Sequence, residues 1–290
     1  MKKLGIDLDS KNYWEEVSTG YVGALQQAYH QHRLAVIRAL MPEELRSAGR
    51  RIFDFGCGDG VLFPEFLDVQ AHIEGVDIAE SMIAEARAHL SQRGKNPDLA
   101  RVGGVSEMCE LPSASYDAVL SFNVLAYLTH AEEETFYREA SRVVKPGGYL
   151  VVTHSNELFD LFTLNRYTVD FFKRHLVSEA SYSALLAGLL KNADIPENPT
   201  AYNVRENPLN YRFKLDRYGF EETRQEFINF HQAPPALIDQ ALSSGTGGGE
   251  RQQDIWKRKG YPDTLGWPVE DRWKLMFLCS TYGSCSRRRK

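Results

Sequence analysis

Three glycines at alternate positions, Gly56, Gly58 and Gly60, follow a short apolar run directly and precede a helical apolar pattern. Glycine leaves the main chain bare there, so a ligand or another backbone segment can come close. Arg51 to Phe55 reads as a strand, and Leu62, Phe63, Phe66 and Leu67 fall at helical spacing behind the turn. Strand, glycine turn and helix in that order point to an α/β chain of parallel strands joined by crossover helices.

The ligand suggested by this turn is not a dinucleotide or a triphosphate. A GxGxxG fingerprint would need its last glycine at Val61, and a phosphate loop would need a lysine that the turn lacks. A second strand, Ile73 to Asp77, ends in an acid at the place where a nucleotide-binding βαβ unit holds a ribose diol. Asp77 can equally cap the helix beginning near Ala79. With Ile78 placed to touch an adenine face, the turn and the acid together point to a nucleoside ligand.

The remaining elements follow in the same rhythm. A helix from about Ala79 carries Met82, Ile83, Ala86 and Leu90 and stops at Gly94. A third strand lies near Arg101-Val102 and a fourth, buried on both faces, spans Tyr116 to Asn123. Thr129 caps a helix that runs to Lys145, where Pro146-Gly147-Gly148 ends it, and Tyr149 to Thr153 is the fifth strand. Arg224 to Phe230 and Trp273 to Thr281 read as strands six and seven. The expected organisation is an N-terminal helical cap over 1–48 and a cofactor-binding core over 49–155. A helical insert or lid follows over 156–205, then the rest of the core over 206–290 with a flexible Gly/Ser loop at 243–249.

Residues 54 to 60 (DFGCGDG) resemble the first motif of the class I S-adenosylmethionine-dependent methyltransferases. The likeness extends to Gly75-Val76-Asp77, to Leu111-Pro112 with Tyr116-Asp117, and to Lys145-Pro146-Gly147-Gly148. It implies a Rossmann-like, mostly parallel seven-stranded sheet with its last strand antiparallel, helices on both faces, and S-adenosyl-L-methionine as cofactor. By the same resemblance Asp54, Gly56, Cys57 and Gly58 surround the methionine part, Asp77 the ribose, and Ile78 and Met82 the adenine. Val105 and Ser106 approach the adenine amino group, although the family's usual Gly-Asp pair is altered there. Asn123 and Val124 face the methyl donor, and Tyr13, Trp14 and Tyr21 form an aromatic cover.

Methyl transfer from a sulfonium depends on alignment and needs no obligatory base. For a hydroxyl acceptor, His154 at the end of the fifth strand is the expected base, with Asn156, Arg166, Tyr167 and His231 on the acceptor side. A sizeable insert suits a compact acceptor, such as a sugar or natural-product hydroxyl. A protein or RNA acceptor, or a non-catalytic cofactor-binding regulator, are the alternatives. The net charge of −5 offers no general attraction to phosphate backbones and argues against nucleic acid. Arg287 to Lys290 reads as a solvated tail. No apolar run reaches membrane-span or leader length, and the four cysteines lack CxxC spacing, so the expectation is a cytoplasmic protein with reduced thiols and no metal, a monomer or homodimer.

Overall fold

The computed structural model describes residues 14–15, 28–177, 179–190, 204–237 and 262–290. Tyr13, Tyr21 and the loop at 243–249 lie outside the described residues. Helix α1 (Ala28–Leu40) precedes β1 (Arg51–Phe55), α2 (Phe63–Leu67), β2 (His72–Asp77), α3 (Glu80–Gln92) and β3 (Ala100–Val102). Then come α4 (Val105–Glu110), β4 (Tyr116–Ser121), α5 (His130–Val143) and β5 (Val144–Ser155). Short helices α6 (Arg166–Phe171) and α7 (Ala180–Leu190) lie in the insert, and α8 (Tyr211–Arg217), β6 (Phe220–Phe230) and β7 (Cys279–Arg288) follow.

The seven strands run in the order β3-β2-β1-β4-β5-β7-β6. The first five are parallel, and β7 is antiparallel to both its neighbours. The fold is therefore the expected Rossmann-like one. Because strand order reverses between β1 and β4, a crevice opens at their carboxyl ends. Successive residues alternate between two apolar layers: Ile52, Ala118 and Val151 join α1, α2 and α3 on one face, while Phe53, Val119 and Leu150 join α5 and α8 on the other. Burial on both sides explains why these strands read as continuous apolar runs.

Four boundaries differ from the sequence reading. Strand β4 stops at Ser121, because Asn123 turns into the left-handed region at φ 61°. Helix α5 ends at Val143, and Lys145-Pro146-Gly147-Gly148 lies within β5 as a register shift against Tyr116 and Ala118. There Asp117 accepts from Lys145 at 2.8 Å and Arg50 at 2.9 Å, and a Cβ on Gly148 would come 2.7 Å from the Asp117 carbonyl. Strand β6 begins four residues early, at Phe220.

The largest correction concerns the last strand, which is Cys279–Arg288 and not Trp273 to Thr281; residues 269–278 are helical turns. The strand was hidden because its buried residues are small and polar. Ser284 and Ser286 are fully buried with their hydroxyls 3.2 Å apart, and a Cβ on Gly283 would meet Leu40 of α1 at 2.7 Å. The terminal basic cluster is accordingly no loose tail: Arg287 donates to the Gly147 carbonyl at 3.1 Å, Arg288 to that of Val144, and Arg289 pairs with Asp216.

Candidate functional site

The crevice between β1 and β4 is a cleft of about 840 Å³ counted out to open solvent. Its floor is the glycine turn. Gly56 sits at φ 76°, and a Cβ there would lie 2.0 Å from Cγ2 of Val124, so only glycine lets the turn tuck under the residue that follows β4. Gly58, at φ 54°, has open space where its Cβ would be, which leaves its Cα side bare at the cleft.

Asp77 ties this floor to the next helix. Its carboxylate accepts from the Gly58 amide at 3.0 Å and the Ala79 amide at 2.9 Å, so it fixes the turn ahead of the helix, without capping the helix itself, while facing the cleft. Each carboxylate oxygen retains a further lone-pair direction for a diol. Ile78 and Met82 wall one end together with Gly103, Gly104 and Val105. A flat apolar base, a sugar diol and an elongated chain over bare backbone fit these groups, so the residues present suit an adenosyl ligand.

Burial, and then the charge of Asp77, push the Asp54 carboxyl up to about 7. Its folded-state value lies above its unfolded one, so the native chain holds a proton that the unfolded chain has released. Stability from this group therefore declines as pH rises from about 4 to about 7. An Asp54→Asn variant, neutral throughout, should gain on the wild type in melting temperature across that window and hold a constant difference above it. A difference that shrinks with pH in scanning calorimetry would refute this.

Trp14 lines the cleft and packs edge-on against Tyr127 at 5.2 Å. Its neighbour Glu15 accepts from the Glu80 amide at 2.6 Å and the Ser81 amide at 3.2 Å. A carboxylate at the start of α3 meets the positive end of that helix, which pins the covering segment beside Asp77. Sequence reasoning missed Glu15, since its partners are main-chain groups far along the chain.

Next to the cleft, behind Trp14, Asn123 and Tyr127, lies a polar cavity that shares these three residues as its wall. Asn123 is fixed there by its main-chain N–H, which donates to Oγ1 of Thr153 at 2.7 Å. His154 lines the cavity, with its ring 4.5 Å from that of Tyr211 and 5.0 Å from that of Tyr282. Both its nitrogens are buried without a hydrogen-bond partner among the described residues. Burial, helped by the charge of Lys214, holds this imidazole neutral well below its ordinary range.

The structure thus brings Trp14, Gly56, Gly58, Asp77, Ile78, Met82, Val105, Asn123 and Val124 to one cleft. Asp54 is buried beneath it, and Cys57 turns away to pack under Gly75. Ser106 bonds Glu107 on α4, and the neighbouring Gly103-Gly104 pair takes the wall position instead. That pair was a readable signal. Phe55, Phe122 and Leu128 also line the cleft and read in the sequence as ordinary core.

On the acceptor side the expectations fare less well. The amide of Asn156 is spent on the backbone, donating to the carbonyls of Met276 and Cys279 and accepting from Leu158, so it staples the chain and is closed to a ligand. Arg166 is exposed, Tyr167 lies under the Arg205 guanidinium at 3.8 Å, and His231 stacks on Phe159 at 4.8 Å; none of them lines the cleft or the cavity. Asn229, in the left-handed region at φ 64°, lines the cavity instead. The four cysteines are free thiols and no helix of the described residues is long and apolar enough to cross a membrane.

Residues 53–152 match the family model of a methyltransferase domain. Among curated proteins, the chain is 34% identical over 116 residues to a ubiquinone biosynthesis O-methyltransferase of Maricaulis maris, covering 40% of this chain and 44% of that protein. The matched part thus spans less than half of that relative. Among solved structures, the magnesium protoporphyrin IX methyltransferase of Synechocystis, with bound S-adenosylhomocysteine, superposes with a TM-score of 0.55 at 12% identity over 96% of this chain and 98% of that one. The cyclase SpnF superposes at 0.53 with 17% identity over 97% and 95%. A methyltransferase and a cyclase on one scaffold mean that activity must be argued from the site.

Proposed function

We propose, from the premise that residues 53–152 are a class I S-adenosylmethionine-dependent methyltransferase domain, that this chain transfers a methyl group to a small molecule, at a hydroxyl of a sugar or natural product. The observation that carries this reading is the wall shared by cleft and cavity, Trp14, Asn123 and Tyr127. When bound, the cofactor supplies an electrophilic methyl carbon, to which the acceptor oxygen bonds as the carbon–sulfur bond breaks, its electron pair staying on sulfur and the hydroxyl proton leaving to water.

The chain's own contribution is positioning. Asp77 accepts from the ribose hydroxyls, Ile78 and Met82 flank the base, and Asp54 offers a carboxylate to the methionine ammonium. Asn123 and Val124 border the methyl end, and the cavity beyond them holds the acceptor on line. His154, held neutral, hydrogen-bonds the acceptor hydroxyl and is a weak base, so orientation outweighs proton removal in its role. The name of the Maricaulis relative, an O-methyltransferase, supports oxygen as the accepting atom.

The test is formation of S-adenosylhomocysteine with a library of hydroxylated small molecules. Asp77→Ala should weaken cofactor affinity by about 5- to 150-fold, the consequence of leaving buried hydroxyls unpaired at about 1–3 kcal/mol. Methylation confined to peptides or RNA, or cofactor binding without any turnover, would overturn the proposal.

A further inference from the structure

Asp54 is a buried acid with no counter-charge. It stands near the end of β1, two residues before Gly56, and is 3% exposed. Among the described residues no donor or cation meets its carboxyl. What acts on it is burial and then the negative charge of Asp77, and both drive it up to about 7. An acid so placed is accommodated in its neutral, protonated form.

The surroundings hold no other group that changes this balance. Side chains alternate along a strand, so Asp54 faces the layer of Ile52, where its register neighbours are Gly75 of β2 and Leu120 of β4, neither of them charged. On the turn, the Cys57 thiol is kept protonated by burial, by Asp54 and by Asp77, and Asp59 bears on Cys57 and not on Asp54. Helices α1, α2 and α3 pack on the same layer and carry His30, Arg33, Glu65, Glu85 and His89; none of these acts on Asp54. Glu15, on the covering segment, bears on Asp77.

A cationic ligand therefore meets an acid that still holds its proton. We propose that the ammonium of an S-adenosyl ligand replaces the proton on Asp54, so that each ligand bound below neutral pH releases a proton to solvent. This rests on the cofactor of the reading above and is independent of the acceptor. The O–H bond of the carboxyl breaks, the proton leaves to buffer, and the carboxylate accepts from the ammonium in a charge-assisted pair, so the charge that enters with the ligand is matched by the one that departs. The ammonium lowers the pKa of Asp54 in the complex. Below about pH 7 the free chain holds the proton and the complex does not, so affinity rises with pH up to about 7 and levels off above it.

The experiment is calorimetric titration of the full chain with S-adenosylhomocysteine, in pairs of buffers that differ in ionisation enthalpy, between pH 5 and 7, where an α-amino group stays charged. Close to one proton should be released per ligand at pH 6 and about half of one at pH 7, and affinity should rise about 50-fold from pH 5 to pH 7. Two comparisons assign the proton. Asp77, the proposed ribose partner, is also raised by burial, so any proton it yields appears equally with the deamino analogue of the ligand, which keeps ribose and carboxylate and lacks only the ammonium. With that analogue, and with S-adenosylhomocysteine in Asp54→Asn, release at pH 6 should drop by close to one proton.

Binding of S-adenosylhomocysteine with no proton released at pH 6 overturns the inference. So does undiminished release with the deamino analogue, a comparison made on the wild-type chain alone, or in an Asp54→Asn variant shown folded by its melting transition. Failure of S-adenosylhomocysteine to bind at any pH overturns the cofactor reading itself, which keeps the two failures apart.

Discussion

Gly56→Ala should abolish cofactor binding, with affinity falling by about 100-fold or more and stability by about 3 kcal/mol. Two costs fall on the same atom. The new Cβ must adopt a left-handed φ, and it must enter the space that Val124 occupies, at a separation of 2.0 Å from Cγ2. Val124 lines the cleft, so displacing it intrudes on the space proposed for the cofactor. Calorimetry and urea unfolding read the two losses. Adding Val124→Ala should return much of the stability, since the steric part of the loss belongs to the pair. Cofactor affinity within threefold of wild type in Gly56→Ala would remove the turn from the binding site.

Lys214→Met should destabilise the chain by about 3–5 kcal/mol. Lys214 of α8 pairs with Glu133 of α5 and with Glu206, and the two acid side chains are only 7% and 12% exposed. Burial works against the lysine's charge, but the two carboxylates outweigh it and raise its pKa. Burial likewise drives Glu206 up to about 7, with Lys214 opposing and Glu133 reinforcing. Without the ammonium, two carboxylates face each other out of water. They escape by taking up protons, so the loss should be greatest above pH 7 and shrink towards pH 5. Glu206→Gln added to Lys214→Met should recover part of it. A pH-independent deficit in urea titrations would show that lost packing, not charge, is the cause.

The cluster matters beyond stability, because it connects to the cavity that His154 lines. The Tyr137 and Tyr211 hydroxyls meet at 2.9 Å beside it, and the Tyr211 ring supports His154. Lys214 also contributes to keeping His154 neutral. The floor of the cavity is therefore an electrostatic unit in which protonation of one member is felt by the others.

The glycine-floored cleft was legible because its parts are local. A glycine turn, the acid ending the next strand and the apolar residue after it fall within 25 residues, and parallel pairing of β1 with β2 brings them together. The neighbouring polar cavity was not. Arg33, Asn229, Thr281 and His154 come from α1, β6, β7 and β5, and no spacing along the chain announces their meeting. Asn156 misled for a related reason: a polar residue at a strand's carboxyl end resembles a ligand group until its main-chain partners are visible. The last strand was misplaced because an aromatic run, Trp273 to Leu278, carries a stronger β signal than the serine-rich stretch that forms the strand, and close packing against α1 selected small residues there.

The place of β7 between β5 and β6 has a consequence for how the molecule is made. As the chain emerges from the ribosome, residues 220–230 are available some fifty positions before their neighbour, and among the described residues their sheet partner is 279–288 alone. Residues 279–288 must thread in between β5 and β6 before the sheet's far edge can exist, so that edge forms later than the strands it joins. The described residues that line the cleft all lie between 14 and 132, so that half of the sheet can take shape before the far edge closes.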